Sequence, residues 1–91
     1  MSEEVLLPSK VHPNQKIFYK NITFEIIEVN QVKGYKNRVT YVISYRLIDG
    51  GFTSPVAHLF VSPTDDVKQH VKQVIDHYLH NKEYIRRVLS R

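Results

Sequence analysis

The residues best suited to chemistry lie in one short basic stretch, Asn30-Gln31-Val32-Lys33-Gly34-Tyr35-Lys36-Asn37-Arg38. Lys33, Lys36 and Arg38 can neutralise phosphates, and Tyr35 among them can stack on a base, a combination suited to nucleic acid. Gly34 is expected to permit a tight bend. The stretch separates two strand-like segments and so reads as a β-hairpin tip, which can also enter a duplex groove. The plain alternative is a solvated loop whose charges only keep the chain soluble.

A second constellation adjoins it. In the segment 38–48, Arg38, Thr40, Ser44 and Arg46 fall on one face, with Val42 between them, if the segment is a strand. An uncovered face with two arginines and two hydroxyls suits a phosphate backbone. Lys16, Phe18, Tyr19 and Lys20 on a neighbouring strand can extend it. The expected nucleic-acid contacts are therefore Lys33, Tyr35, Lys36, Arg38, Arg46 and Lys20. The alternative is the ordinary polar side of an antiparallel sheet.

Histidine offers a weaker third candidate. His70, His77 and His80 share one helical segment, with His77 and His80 neighbours at i,i+3 and Asp76 four residues before His80. Two imidazoles and a carboxylate are zinc-type ligands, but there is no H-E-x-x-H pattern and no cysteine, so no metal site is expected. Ser44, Ser54 and His58 have no nucleophile-elbow context, and Gly34, Gly50 and Gly51 form no phosphate-cradling loop. Glu25 and Glu28 are three apart on one strand, which points them to opposite faces and removes an acid pair. No enzyme activity and no cofactor are expected. Phe24, Tyr41, Tyr45, Phe60 and Tyr78 read as core aromatics.

The elements that must position these groups are legible from periodicity. Residues 16–61 predict an antiparallel β-meander of three or four strands. Ile17–Tyr19 and Ile22–Val29 are rich in β-branched and aromatic residues, with Lys20-Asn21 as a tight turn between them. In 38–48 the odd positions Val39, Tyr41, Ile43, Tyr45 and Leu47 make one apolar face. Asp49-Gly50-Gly51 supplies the positive φ angles of a hairpin turn, and Pro55 places the returning strand, 52–61, at a sheet edge. Residues 63–90 predict one long helix packed on one sheet face. It opens with Ser62 as cap, Pro63 in the first turn and Asp65 near N3, and carries apolar residues at 3.6 spacing from Val67 to Leu89. The fold class is α+β.

A helix of that length outruns a ten-residue strand. Its last apolar residues, Ile85, Val88 and Leu89, are expected to overhang the sheet as a homodimer interface, unless the helix breaks near Asn81-Lys82. Residues 1–15, with Pro8 and Pro13, read as a flexible or docking N-terminal arm that orders only if Val5, Leu6 and Leu7 find a groove. Residues 16–91 then form a single domain.

Composition sets the outer limits. Ninety-one residues suit one small core, and zero cysteines exclude disulfides, thiol nucleophiles and cysteine-based zinc sites. The net charge of +4 divides as −1 over residues 1–15, +3 over 16–50 and +2 over 51–91. The basic excess thus lies in the folded part and permits a polyanionic partner. No apolar run approaches the length of a membrane span. The opening MSEEVLLPSK has acids before its apolar patch, the wrong order for a secretory signal, so a cytoplasmic protein with no membrane partner is expected. The leading reading is a small, dimeric nucleic-acid-binding protein (DNA or RNA). The alternative is a non-enzymatic protein-interaction module, an inhibitor or regulator docking on a larger protein through its helix end or edge strand.

Overall fold

The computed structural model describes residues 4–89, with side chains through Tyr84. Five strands, β1 (Lys16–Tyr19), β2 (Ile22–Lys33), β3 (Val39–Asp49), β4 (Phe52–Thr53) and β5 (Ala57–Val61), precede one helix, α1 (Val67–Leu89). All pairings are antiparallel, in the order β1-β2-β3, with β4 and β5 both on the far side of β3. The architecture is the α+β meander with a C-terminal helix that the periodicity predicts.

β4 and β5 are one edge strand interrupted at Ser54-Pro55-Val56, where the proline has no N–H to give the ladder. Ser54 bridges the gap. Its hydroxyl accepts the Leu47 N–H at 2.8 Å, and its own N–H donates to the Leu47 carbonyl at 2.8 Å.

The turns follow local chemistry with one exception. Lys20 (φ 50°) and Asn21 (φ 65°) are both left-handed, as the two central residues of a type I′ hairpin turn require. At Asp49–Phe52 only Gly50 takes a positive φ, 60°. At the β2–β3 tip the bend is not made at Gly34, whose backbone is extended (φ −106°, ψ −157°). It is made at Lys36 (φ 59°) and Asn37 (φ 61°), closed by the Arg38 N–H on the Tyr35 carbonyl at 3.3 Å.

Residues paired across an antiparallel ladder share a face. Ile17, Phe24, Leu47, Ile26, Val29, Ile43, Leu59 and Val61 accordingly face one way, and α1 covers them with Val67, Val71 and Ile75. Phe24 stacks on Tyr45 with ring centres 4.4 Å apart.

A β-bulge between Ile26 and Glu28 changes the parity of β2. It brings Val29 inward opposite Ile43. It also sets Glu25 opposite Arg46 and Glu28 opposite Ser44, so both glutamates lie on the open face. The expectation that they point apart fails at this one extra residue. Phe60 also departs from its expected place in the core: its neighbour Val61 turns inward opposite Tyr41, and Phe60 stands on the open face.

The helix begins at Val67, four residues later than the sequence suggests. Ser62 and Asp65 close a preceding turn, with the Ser62 N–H on the Asp65 carboxylate at 2.9 Å. The cap is Asp66, whose carboxylate accepts the Lys68 N–H at 3.1 Å. The same oxygen accepts the Leu6 N–H at 3.1 Å, and the Leu6 carbonyl accepts the Val67 N–H at 2.8 Å. From Leu6 the N-terminal segment lies against the domain, with Pro8 and Val11 buried, while Val5 and Leu7 stay exposed. Asn14 and Gln15 then bond the Ile26 backbone.

At its other end α1 runs unbroken past Asn81-Lys82 to Leu89. Lys82 bonds Asp49 at the end of β3, so the last two turns extend beyond the sheet. The side chains of the expected interface, Ile85, Val88 and Leu89, lie outside the described residues. Among the described residues, no helix is long and apolar enough to cross a membrane.

Candidate nucleic-acid interface

β2 and β3 continue past the edge strand as a bare two-stranded ribbon. β5 ends opposite Tyr41, and every residue from Asn30 to Arg38 is exposed. The ribbon and its turn reach roughly 10–15 Å beyond the end of β5. At its root the Gln31 side chain donates to the Tyr41 hydroxyl at 3.1 Å, a cross-strand brace on the helix-side face.

Four of the six expected contacts meet at this tip. Tyr35 is 84% exposed, and the Lys36 ammonium sits 5.6 Å from its ring centre. Lys33, Lys36 and Arg38 make no ion pair among the described residues. No acid occurs in the sequence between Glu28 and Asp49. The tip is therefore a concentrated, uncompensated positive charge on a narrow projection.

The other two contacts lie elsewhere and are neutralised. Arg46 stands in mid-sheet and bonds Glu25. Lys20 sits in the β1–β2 turn, about 40 Å along β2 from the tip. Its ammonium is 2.8 Å from Asp76 on α1, which also accepts the Tyr19 hydroxyl at 3.3 Å. The hydrogen bond from Lys20 holds the Asp76 carboxyl below its ordinary value, and the same bond raises the Lys20 ammonium.

The open sheet face is not the basic platform expected. Ser44 is buried, its hydroxyl 3.0 Å from the His58 ring. Lys16 and Arg46 flank Glu25, Glu28 stands opposite Ser44, and the remainder mixes hydroxyl and amide groups with Phe18, Ile48, Val42, Phe60 and Val32. Sequence reasoning missed this because the parity of β2 decides it, and a one-residue bulge carries no strong local signal.

The other constellations resolve into structural bonds. Ser44 and His58 meet as a nucleophile–base pair would, but Ser44 is mid-strand with its backbone in the ladder, and Glu28 flanks the serine rather than orienting the imidazole. His77 bonds Asn81, and His70 bonds Asp65, whose carboxyl is held low chiefly by the Ser62 N–H. Among the described residues no group of three or more His, Cys, Asp or Glu is placed to hold a metal. A groove of about 240 Å³ between the β1 edge and α1 is lined by Ile17, Phe18, Tyr19, Lys68, Val71 and Lys72. Its one hydroxyl, Tyr19, is engaged with Asp76.

The fold and site together define an α+β meander domain with a projecting basic hairpin. The chain matches no known family, no curated protein and no solved structure.

Proposed function

We propose that this chain binds nucleic acid through the β2–β3 tip, and that the sheet face is not part of the contact. The observation that carries the reading is the tip itself: three cations without an ion pair among the described residues and an exposed tyrosine, on a two-stranded ribbon without acids. Lys33, Lys36 and Arg38 contact phosphates, and Tyr35 stacks on or wedges between bases. A B-form major groove, about 12 Å wide and 8.5 Å deep, admits a ribbon of this kind. The protein acts by binding, without catalysis.

The test is fluorescence anisotropy with labelled single- and double-stranded oligonucleotides at two salt concentrations. Binding is expected to weaken steeply with salt. In the triple variant Lys33→Glu, Lys36→Glu, Arg38→Glu the logarithmic salt slope on duplex should shrink by about 2.7, three contacts at about 0.9 each. Tyr35→Ala should weaken single-strand binding about fivefold or more. Equal affinity and equal slope in the triple variant would remove the tip from the interface.

A further inference from the structure

The face of the sheet opposite α1 is built in rows by the strand register. Phe18, Thr23, Ile48 and Thr53 form one; Lys16, Glu25 and Arg46 the next. Glu28, Ser44 and His58 follow, then Asn30, Val42 and Phe60, and last Val32 and Thr40. Phe18 is 74% exposed, Phe60 66% and Val32 49%. Aromatic and β-branched side chains left in water on both edges and at one end of a single face mark a surface that something covers.

We infer that a second copy of this chain covers it, the two sheets packing face to face with the helices outside. Three observations select that occupant. The charges on the face cancel, two basic against two acidic, although the chain carries +4, so the excess charge lies off this face and two copies stack without like-charge repulsion.

The arrangement of those charges is also self-complementary. With a two-fold axis along the strands, β2 of one copy lies over β3 of the other, and Arg46 sits over the partner's Glu25 while Glu25 sits over the partner's Arg46. An axis across the strands through the central row of the face would instead set Glu28 over the partner's Glu28. The charges therefore choose the first orientation.

The size fits as well. The fifteen positions of these rows, each about 4.8 Å by about 6.8 Å, give a footprint of about 500 Å² before side-chain relief is added. A standard interface takes about 800 Å² of accessible surface per partner. The chain exposes 6816 Å², against roughly 5,500 Å² for a compact monomer of its mass. Sheet-on-sheet packing at about 10 Å gives a four-layer assembly, with the Glu25 and Arg46 pairs in its inner rows and Phe18, Phe60 and Val32 toward its margins.

The experiment is light scattering and sedimentation across the micromolar range. Wild type should run at twice the 10.7 kDa chain mass. Phe60→Glu, at an exposed position, should keep its helical circular dichroism and raise the dimer dissociation constant roughly a hundredfold. Glu25→Arg and Arg46→Glu should each be monomeric alone, because each sets like charges face to face. Mixed in equal amounts they should restore the dimer, since the mixed pair recovers both attractions. Wild type that stays monomeric throughout would overturn the inference and leave the face to a different protein. Phe60→Glu that dimerises like wild type, or a charge-swapped mixture that stays monomeric, would overturn the geometry on its own.

Discussion

Single side chains in this molecule divide into those held by a partner and those left to meet one. Lys20, Arg46 and Lys82 are each bonded to a carboxylate, of Asp76, Glu25 and Asp49, whereas Lys33, Lys36 and Arg38 meet none among the described residues. The held groups contribute little net stability at the surface but give it a pH dependence. Asp65 and Asp76 sit below their ordinary 3.8, so their contribution is present above that value and is lost as pH falls through the lowered one. Lys20 is raised from 10.5 by its bond to Asp76, and its contribution is lost as pH rises through the raised value. Tyr45 is raised from 10.0 by burial, and Tyr78 by burial and by its bond to Asp49. Their neutral forms stabilise the fold fully below that ordinary value, and that support disappears as pH rises through the folded ones. Stability is therefore expected to fall on the alkaline side with late phenolate absorbance. Denaturant midpoints for wild type and the Tyr45→Phe, Tyr78→Phe double variant check this. The double variant should lose the tyrosine part of the alkaline decline, and an unchanged decline would assign it wholly to Lys20 and other groups.

At the scale of elements, one residue joins the N-terminal segment to the helix. Asp66 caps α1 through the Lys68 N–H and holds the Leu6 N–H, while Leu6 holds Val67 in return. Asp66→Ala removes a cap and a tertiary bond together, so it should cost about 2–3 kcal/mol. Thermal unfolding should shift down by several degrees, and residues 4–10 should become protease-sensitive before the rest. Asp66→Asn keeps an accepting oxygen and should retain most of the stability. A midpoint in Asp66→Ala equal to wild type would show that the helix start is held by packing alone. The same junction shows what the sequence carried and what it did not. Ser62-Pro63-Thr64-Asp65-Asp66 offers two overlapping caps, and only the docking of Leu6 selects the second. The long strands and helix were legible because period 2 and period 3.6 are written over many residues. Pro55 at the edge and the Lys20-Asn21 turn follow from backbone chemistry that acts locally. The bulge in β2 was not legible, because one inserted residue leaves both halves of the strand looking regular. That single shift moved Glu28 onto the open face, opposite Ser44, and so turned an expected basic platform into a neutral one. The hairpin cations were readable as a cluster. Their freedom from ion pairs, and the loss of Arg46 and Lys20 to Glu25 and Asp76, depend on contacts across 21 and 56 residues.

The molecule as a whole is long and thin, 51 × 36 × 20 Å with a radius of gyration of 14.8 Å, where a compact chain of this length gives about 12 Å. The elongation has a direction. The hairpin tip projects at the end where β5 stops, and α1 runs out past Asp49 at the other. In a face-to-face pair with its two-fold axis along the strands, both tips point the same way from one end of the assembly. On the proposed reading, two tips with three cations each would be placed to meet one nucleic acid together, and their phosphate contacts would add. On duplex the logarithmic salt slope should approach about −5.4 for the pair against about −2.7 for a single copy. Phe60→Glu removes no cation and lies on the sheet face, so under direct tip binding alone it would leave affinity unchanged. If the tips act as a pair, it should weaken binding and roughly halve the slope, because the second set of contacts is no longer tethered. Titrating wild type and Phe60→Glu against the same duplex at matched chain concentration separates the two cases. Equal slopes in a monomeric Phe60→Glu would show that each tip binds alone, and would place the sheet face outside nucleic-acid recognition altogether.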